Sequence, residues 1–156
     1  MNKTISTLGP NDAKCCFYLP NPPTFPDNWS HNQADAIASL IALNGNHWRK
    51  ILTIMAKIMC PTEDWKSYRD DFLLKESEQI HINATQLSSQ SQIHIVSGQS
   101  SATQLSLNLA HFSATQTEPR LNTCQSCLLV PYLDYRQYPN KLIEETRGYL
   151  TSLEIS

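Results

Sequence analysis

Between Glu78 and Glu118 the chain carries no Asp, Glu, Lys or Arg. Charged side chains normally cover a folded surface, so a long uncharged stretch is either the interior of a sheet with helices lying on it or a low-complexity segment. Its internal pattern favours the sheet. Gln79–Asn83 and Gln92–Ser97 alternate apolar and polar residues as strands do. Ser100–Ala110 then reads as a helix, with Ala102, Leu105, Leu107 and Leu109 available for packing. The pentapeptide Ala84–Ser88 recurs at Ala102–Ser106, but the third echo at Ala114–Gln116 is partial and unevenly spaced, so no solenoid period emerges.

Apolar strands flank this stretch. Lys14–Leu19 (KCCFYL) reads as a buried strand and runs into Pro20–Asn21–Pro22–Pro23, an extended exit because proline donates no ladder hydrogen bond. Ser126–Val130 (SCLLV) is another, stopped by Pro131. Before the charge gap, Ser30 can cap a helix carrying Ala34, Ile37, Ala38, Ile41 and Ala42, ended by Asn44–Gly45. His47–Met59 places Trp48, Ile51, Leu52, Met55 and Ile58 on one face, and Cys60–Pro61 ends it. Thr62 or Asp64 can open a third helix through Leu74, and Lys141–Leu153 forms the last, initiated at Pro139.

The order β-α-α-α-β-β-α-β-α predicts a three-layer α/β domain over residues 1–156, with a mostly parallel central sheet and helices on both faces. Residues 1–13 form a polar N-terminal arm. Only Ala84–Ser91 separates two of the strands, short for a crossover, so that pair is a candidate for antiparallel pairing.

At 156 residues, 40% hydrophobic and 17% charged, the chain can bury a core without metals or disulfides. A formal charge of −2 gives no footprint for strong duplex-DNA or anionic-membrane binding. There is no apolar run of ~18 residues for a membrane span and no secretory signal. With five cysteines, an odd number, the expectation is reduced thiols in the cytosol.

Several motifs invite chemistry. Cys124-x-x-Cys127 lacks the second pair of a zinc site and opens a strand rather than a helix, so it reads as inert. His81 and His94 each sit between isoleucines and read as structural, and no metal or cofactor is indicated. Ser97–Gly98–Gln99–Ser100–Ser101 joins a strand to a helix, where backbone N–H groups and hydroxyls serve equally as caps or as an anion site. It lacks the lysine of a phosphate loop and the second glycine of a nucleophile elbow.

The densest polar segment is Asp134–Tyr135–Arg136–Gln137–Tyr138–Pro139–Asn140. Here Asp134 and Arg136 can pair, the ring of Tyr132, Tyr135 or Tyr138 can stack, and Asn140 offers a donor and an acceptor. In parallel α/β sheets ligands gather beyond the carboxyl ends of strands. The candidate ligand-binding set is therefore Asn21, Gln99, Ser100, Ser101, Asp134, Tyr135, Arg136 and Asn140.

Ile93–Leu105 (IHIVSGQSSATQL) followed by Leu128–Leu150 (LLVPYLDYRQYPNKLIEETRGYL) resembles the end of the uracil-DNA glycosylase superfamily. In that family a strand–Gly–helix unit precedes a strand that ends in a catalytic loop and a final helix. Phe17–Pro23 (FYLPNPP) occupies the place of its first motif, and together these segments cover about half the chain. The segment PYLDYRQYPN is also similar to an uncharacterised bacterial domain family with no assigned activity.

The departures are chemical. The glycosylase pattern places in the final loop a histidine that stabilises the departing base anion. Here Asp134 or a neighbour takes that position, and no His follows His111. Only Asn21 is available to position water, and neither a DNA-wedging residue nor a basic surface is evident. The resemblance thus implies a uracil-DNA glycosylase-like fold and a site location rather than base excision. The expected function is binding of a small or nucleotide-like ligand at the strand ends. A non-catalytic interaction module is the alternative, and an active base-excision enzyme ranks below both.

Overall fold

The computed structural model describes residues 7–153. They form an α/β arrangement around a seven-stranded mixed sheet. Its strands in chain order are β1 (Thr7–Leu8), β2 (Cys15–Leu19), β3 (Glu78–Ile82), β4 (Ile93–Ser97), β5 (Ser113–Ala114), β6 (Asn122–Cys124) and β7 (Cys127–Val130). Across the sheet they run β1-β3-β2-β4-β7-β6-β5. The four central strands are parallel, and both margins are antiparallel. This corrects the mostly parallel expectation, because β1, β5 and β6 are too short to leave a periodic signal. β1 falls within the expected N-terminal arm, where Leu8 and Ala13 are buried.

The expected antiparallel pair, β3 and β4, is not a pair. Both lie parallel to β2, one on each side of it. The connection across β2 needs no helix. It must return about 16 Å along a strand and about 10 Å sideways, within reach of ~10 extended residues.

The helices are α1 (Ala36–Asn44), α2 (Asn46–Met59), α3 (Trp65–Ser67), α4 (Gln99–Gln104) and α5 (Asn140–Ser152). The main core joins α1, α2 and α5 to one sheet face, where Phe17, Leu19, Ile80, Ile95 and Leu128 meet Ile51, Leu52, Met55 and Leu142. Each such side chain contributes roughly 1.5–3 kcal/mol by leaving water. The five α2 residues expected on one face are all buried. The opposite sheet face carries Cys16, Tyr18, Val96 and Cys127, packed against Ala102 and Leu105 and bordered by Leu87, Leu107 and Phe112.

Three expected helices are shorter than their patterns. Asp64 caps α3 by accepting from the Ser67 N–H, but the chain then widens into a π-turn over Tyr68–Phe72. There the Leu73 N–H reaches Tyr68 O. Leu74, at φ 64, turns away and donates its N–H to Glu78, so the helix stops short of it. Likewise α4 ends at Gln104 rather than Ala110. Ser106 at φ 55 breaks it, and a separate 3-10 turn, Leu109–His111, is capped by Asn108. α1 starts only at Ala36, leaving Ala34 in the turns before it, and Ser30 does not cap it; the Ser30 Oγ accepts from the Asn32 N–H upstream.

Candidate functional site: a cleft at the strand ends

The connection leaving β2 runs through α1 and α2 to one side of the sheet, whereas that leaving β4 runs through α4 to the other. Between the carboxyl ends of β2 and β4 the winding therefore reverses, and such a reversal opens a crevice because the two loops diverge. A cleft of about 820 Å³ lies beside it, over the carboxyl ends of β4 and β7. Pro20 after β2, Gly98 after β4 and Pro131 after β7 all contribute to it.

The lining offers hydrogen-bonding groups from Gln99, Ser100, Asn122 and Gln137. The same lining carries apolar side chains from Leu107, Phe112 and Leu129, the last directly opposite Asn122 across the β6–β7 pair. Ser97 Oγ is committed to Pro131 O at 3.2 Å, which ties the ends of β4 and β7 together. Tyr132 lends its ring to the cleft while its hydroxyl lies 2.9 Å from His47 Nε2, and the two rings stack at 5.8 Å. Burial, with a smaller contribution from Asp134, pushes the Tyr132 phenol up.

Arg120 is the charged residue of the lining. Its Nε and Nη2 hold Glu118 in a fork at 2.7 and 2.9 Å. These bonds, opposed by partial desolvation, bring the Glu118 carboxyl down to about 2. Glu118 is shielded by its neighbours yet lies near the surface, so the pair matters more for orientation than for stability. An ion-paired arginine presents donors to the cleft with its charge compensated.

The residues expected to bind ligand divide into two groups. Gln99 and Ser100 line the cleft. Ser101, one residue on, turns inward, and its Oγ is buried without a hydrogen-bond partner among the described residues. Asn21 is exposed beside the Pro20 wall and is not itself part of the lining.

Asp134, Tyr135, Arg136 and Asn140 lie outside the lining. Asp134 does not form the expected ion pair with Arg136. It accepts from the Arg136 backbone N–H at 3.0 Å and faces Lys50 at 3.7 Å. That N–H, then the Lys50 and Arg136 charges, hold its carboxyl below the usual range. Tyr135 sits between the ammonium groups of Lys50 and Lys57, at 5.7 and 6.0 Å. Asn140 Oδ1 accepts from Lys57 Nζ at 3.5 Å, and the Arg136 side chain is exposed. This half of the loop clasps α2. Tyr138 offers no stacking face: it is buried, with its hydroxyl 2.6 Å from Thr146 Oγ1.

Sequence reasoning missed Phe112, Arg120 and Asn122, all from the segment between α4 and β7. The available signal was Glu118-Pro-Arg120, where charge returns after the long gap.

His81 and His94 do share a sheet face, with Tyr18 between them at 5.7 and 5.8 Å between ring centroids. Among the described residues no three His, Cys, Asp or Glu side chains converge to hold a metal, and no helix is long and apolar enough to cross a membrane.

No curated protein and no solved structure matches the chain. A family model does match it over residues 6–151, and the chain therefore belongs to the family of unknown function DUF6942.

Proposed function

We propose that the cleft binds a small, planar, uncharged ligand with hydrogen-bonding edges, of the nucleobase or nucleoside kind. The observation that carries this reading is the mixture, in one lining beyond the ends of β4 and β7, of carboxamides and a hydroxyl with apolar and aromatic side chains. Carboxamides from Gln99, Asn122 and Gln137 supply both donors and acceptors, as the edge of a heterocycle requires. Phe112 and Tyr132 offer rings to its face. Among the described residues of the lining the cation is Arg120, and it is already compensated by Glu118, which disfavours a polyphosphate there.

The order of elements around the cleft also supports kinship with the uracil-DNA glycosylase-like fold, in a form without base excision. After β7, where that family carries its histidine, Asp134 pairs with Lys50 outside the cleft lining. Five unpaired thiols fit a reducing, cytosolic setting.

The test is thermal unfolding against a panel of bases, nucleosides, nucleotides and inorganic polyphosphate. A ligand that binds only the folded form at one hundred times its Kd stabilises by about 2.7 kcal/mol. Uncharged bases or nucleosides are expected to raise the melting temperature, with the effect lost in Gln99→Ala and Asn122→Ala. A panel with no stabilising base or nucleoside, or one answered only by polyphosphates, overturns the reading.

A second reading rests on Leu109, which is 53% exposed at the mouth of the cleft. A protein partner could seat an apolar side chain there. In that case Leu109→Asp would abolish capture of the partner while leaving nucleoside binding intact.

A further inference from the structure

Cys124 and Cys127 close the β6–β7 hairpin across the two-residue turn Gln125–Ser126, and they are direct partners in its antiparallel register. Gln125 takes the left-handed backbone, φ 55, that so tight a hairpin turn calls for. Directly opposite residues of an antiparallel pair place their side chains on one face, with Cβ atoms about 4.5–5.5 Å apart. A disulfide needs roughly 3.5–4.5 Å between Cβ atoms. An approach of about 1 Å closes that difference.

The turn is held from both sides. Ser126 O accepts from the His94 N–H at 2.9 Å, and Gln125 O accepts from the Tyr149 hydroxyl at 2.6 Å. The register is thereby fixed with the two thiols opposite one another. Cys124 is half-buried and Cys127 buried. The other cysteines are all buried: Cys15 is on the opposite sheet face and Cys60 is at the end of α2, while Cys16 shares the face of Cys127 two strands away, with His94 between them in register.

We propose that Cys124 and Cys127 form a reversible intrachain disulfide across the hairpin, with a low-molecular-weight disulfide such as oxidised glutathione as electron acceptor. Cys124, the more accessible thiol, loses its proton and attacks one sulfur of the glutathione disulfide. The first glutathione leaves as a thiolate and takes up that proton. Cys127 then attacks the Cys124 sulfur of the mixed disulfide and expels the second glutathione, which takes up the Cys127 proton. Two protein thiols are oxidised, and one disulfide is reduced to two thiols.

Burial, with the neighbouring Cys124 adding to it, pushes the Cys127 thiol up to about 11, which suits the second, intramolecular step better than the first. The next pair along the same face, Asn122 and Leu129, lines the cleft. The disulfide therefore joins the two strands immediately beside the ligand-facing pair.

The folded protein exposed to oxidised glutathione, then denatured, alkylated and digested with trypsin, tests this. Cys124 and Cys127 fall in one tryptic peptide, Leu121–Arg136, with no other cysteine. That peptide is expected to be two hydrogens lighter than its dithiol form and to escape alkylation, with full reversal by dithiothreitol. Cys124→Ser is expected to leave Cys127 unmodified. A peptide that is alkylated twice, one that retains a stable mixed disulfide with glutathione, or one that pairs only in denaturant overturns the proposal. Glutathionylation of Cys127 in Cys124→Ser at the native rate overturns the order of attack.

Discussion

The hydroxyl of Tyr18 lies 2.7 Å from Nδ1 of His94 and accepts the Ser88 N–H at 2.8 Å. The phenolic oxygen therefore bridges the backbone of the 83–92 connection and the His94 ring. Tyr18 is thus the post on which the 83–92 connection hangs. Tyr18→Phe removes the acceptor of the Ser88 N–H and the hydrogen-bond partner of His94 Nδ1 together. It is expected to destabilise the fold by about 1–3 kcal/mol, measured by urea unfolding.

The same pair makes stability depend on pH. Burial lowers the pKa of both His81 and His94, and His81, facing across Tyr18, further disfavours a charge on His94. Cys16 and Cys127 are the remaining titratable groups of that cluster, and neither charges in acid. The unfolded chain takes up protons at about 6.5 while the folded one resists. Stability is therefore complete above that value and falls as pH drops through it toward the folded pKa. Urea midpoints are expected to fall between pH 7.5 and 5.5, and less so in a His81→Gln/His94→Gln double variant. An equal fall in both proteins would assign the loss to other groups.

Glu78 behaves in the opposite sense. It is fully buried at the start of β3, where its carboxylate accepts from the Leu74 N–H at 2.9 Å and from the Tyr68 hydroxyl. Burial raises its pKa despite both bonds. A raised carboxyl pKa gives stability that is complete below the unfolded value and is lost as pH rises through the folded one. Glu78→Gln, which retains an acceptor without a charge, should match or exceed the native protein at pH 7 and converge with it near pH 4. Glu78→Leu leaves the Leu74 N–H and Tyr68 hydroxyl unpartnered and should lose about 1–3 kcal/mol by the same measurement.

How much of this was legible in the sequence depends on element length. The β2, β3, β4 and β7 cores, α2 and α5 each repeat a period often enough to be read, and their order places a site at the strand ends. The two- and three-residue strands β1, β5 and β6 have no period to repeat. The register that opposes Cys124 to Cys127 exists only once the hairpin forms. Likewise Ser100–Ala110 has helical spacing throughout, but the left-handed Ser106 redirects the chain so that Phe112 reaches the cleft.

The polar loop after β7 shows a different limit. Composition marks it as rich in functional groups, yet composition carries no direction. Lys50 and Lys57 on α2 draw Asp134, Tyr135 and Asn140 to themselves, so only Tyr132 and Gln137 remain for the cleft. A lysine ladder spaced by two helical turns was visible in α2, but its partners were not.

Glu118 reports on the orientation of Arg120. With the guanidinium fork removed in Arg120→Ala, its carboxyl should rise from about 2 toward the ordinary value of about 4.3, followed by carboxyl NMR titration. Arg120→Lys should give an intermediate value, since an ammonium cannot make both parallel bonds. A Glu118 midpoint unchanged in Arg120→Ala would mean that the fork does not persist in solution.

Two glycines with positive φ separate backbone strain from steric conflict. At Gly98, φ 85, an added Cβ would find its nearest neighbour, Tyr132 Cδ1, at 3.9 Å, an ordinary contact. With ψ at 160, a region that essentially only glycine occupies, Gly98→Ala should therefore cost only that backbone penalty, about 1–3 kcal/mol. At Gly9, φ 98, the Cβ would meet the Glu78 carbonyl oxygen at 2.7 Å and Gln79 Cα at 3.1 Å, both backbone atoms of β3 that cannot swing aside. Gly9→Ala must pay a positive-φ backbone penalty and also push β1 away from β3, so its urea midpoint should fall further than that of Gly98→Ala. Equal losses at the two positions would show that β1 yields without resistance, and would leave the Thr7–Leu8 pairing as an ornament of the sheet rather than a support for it.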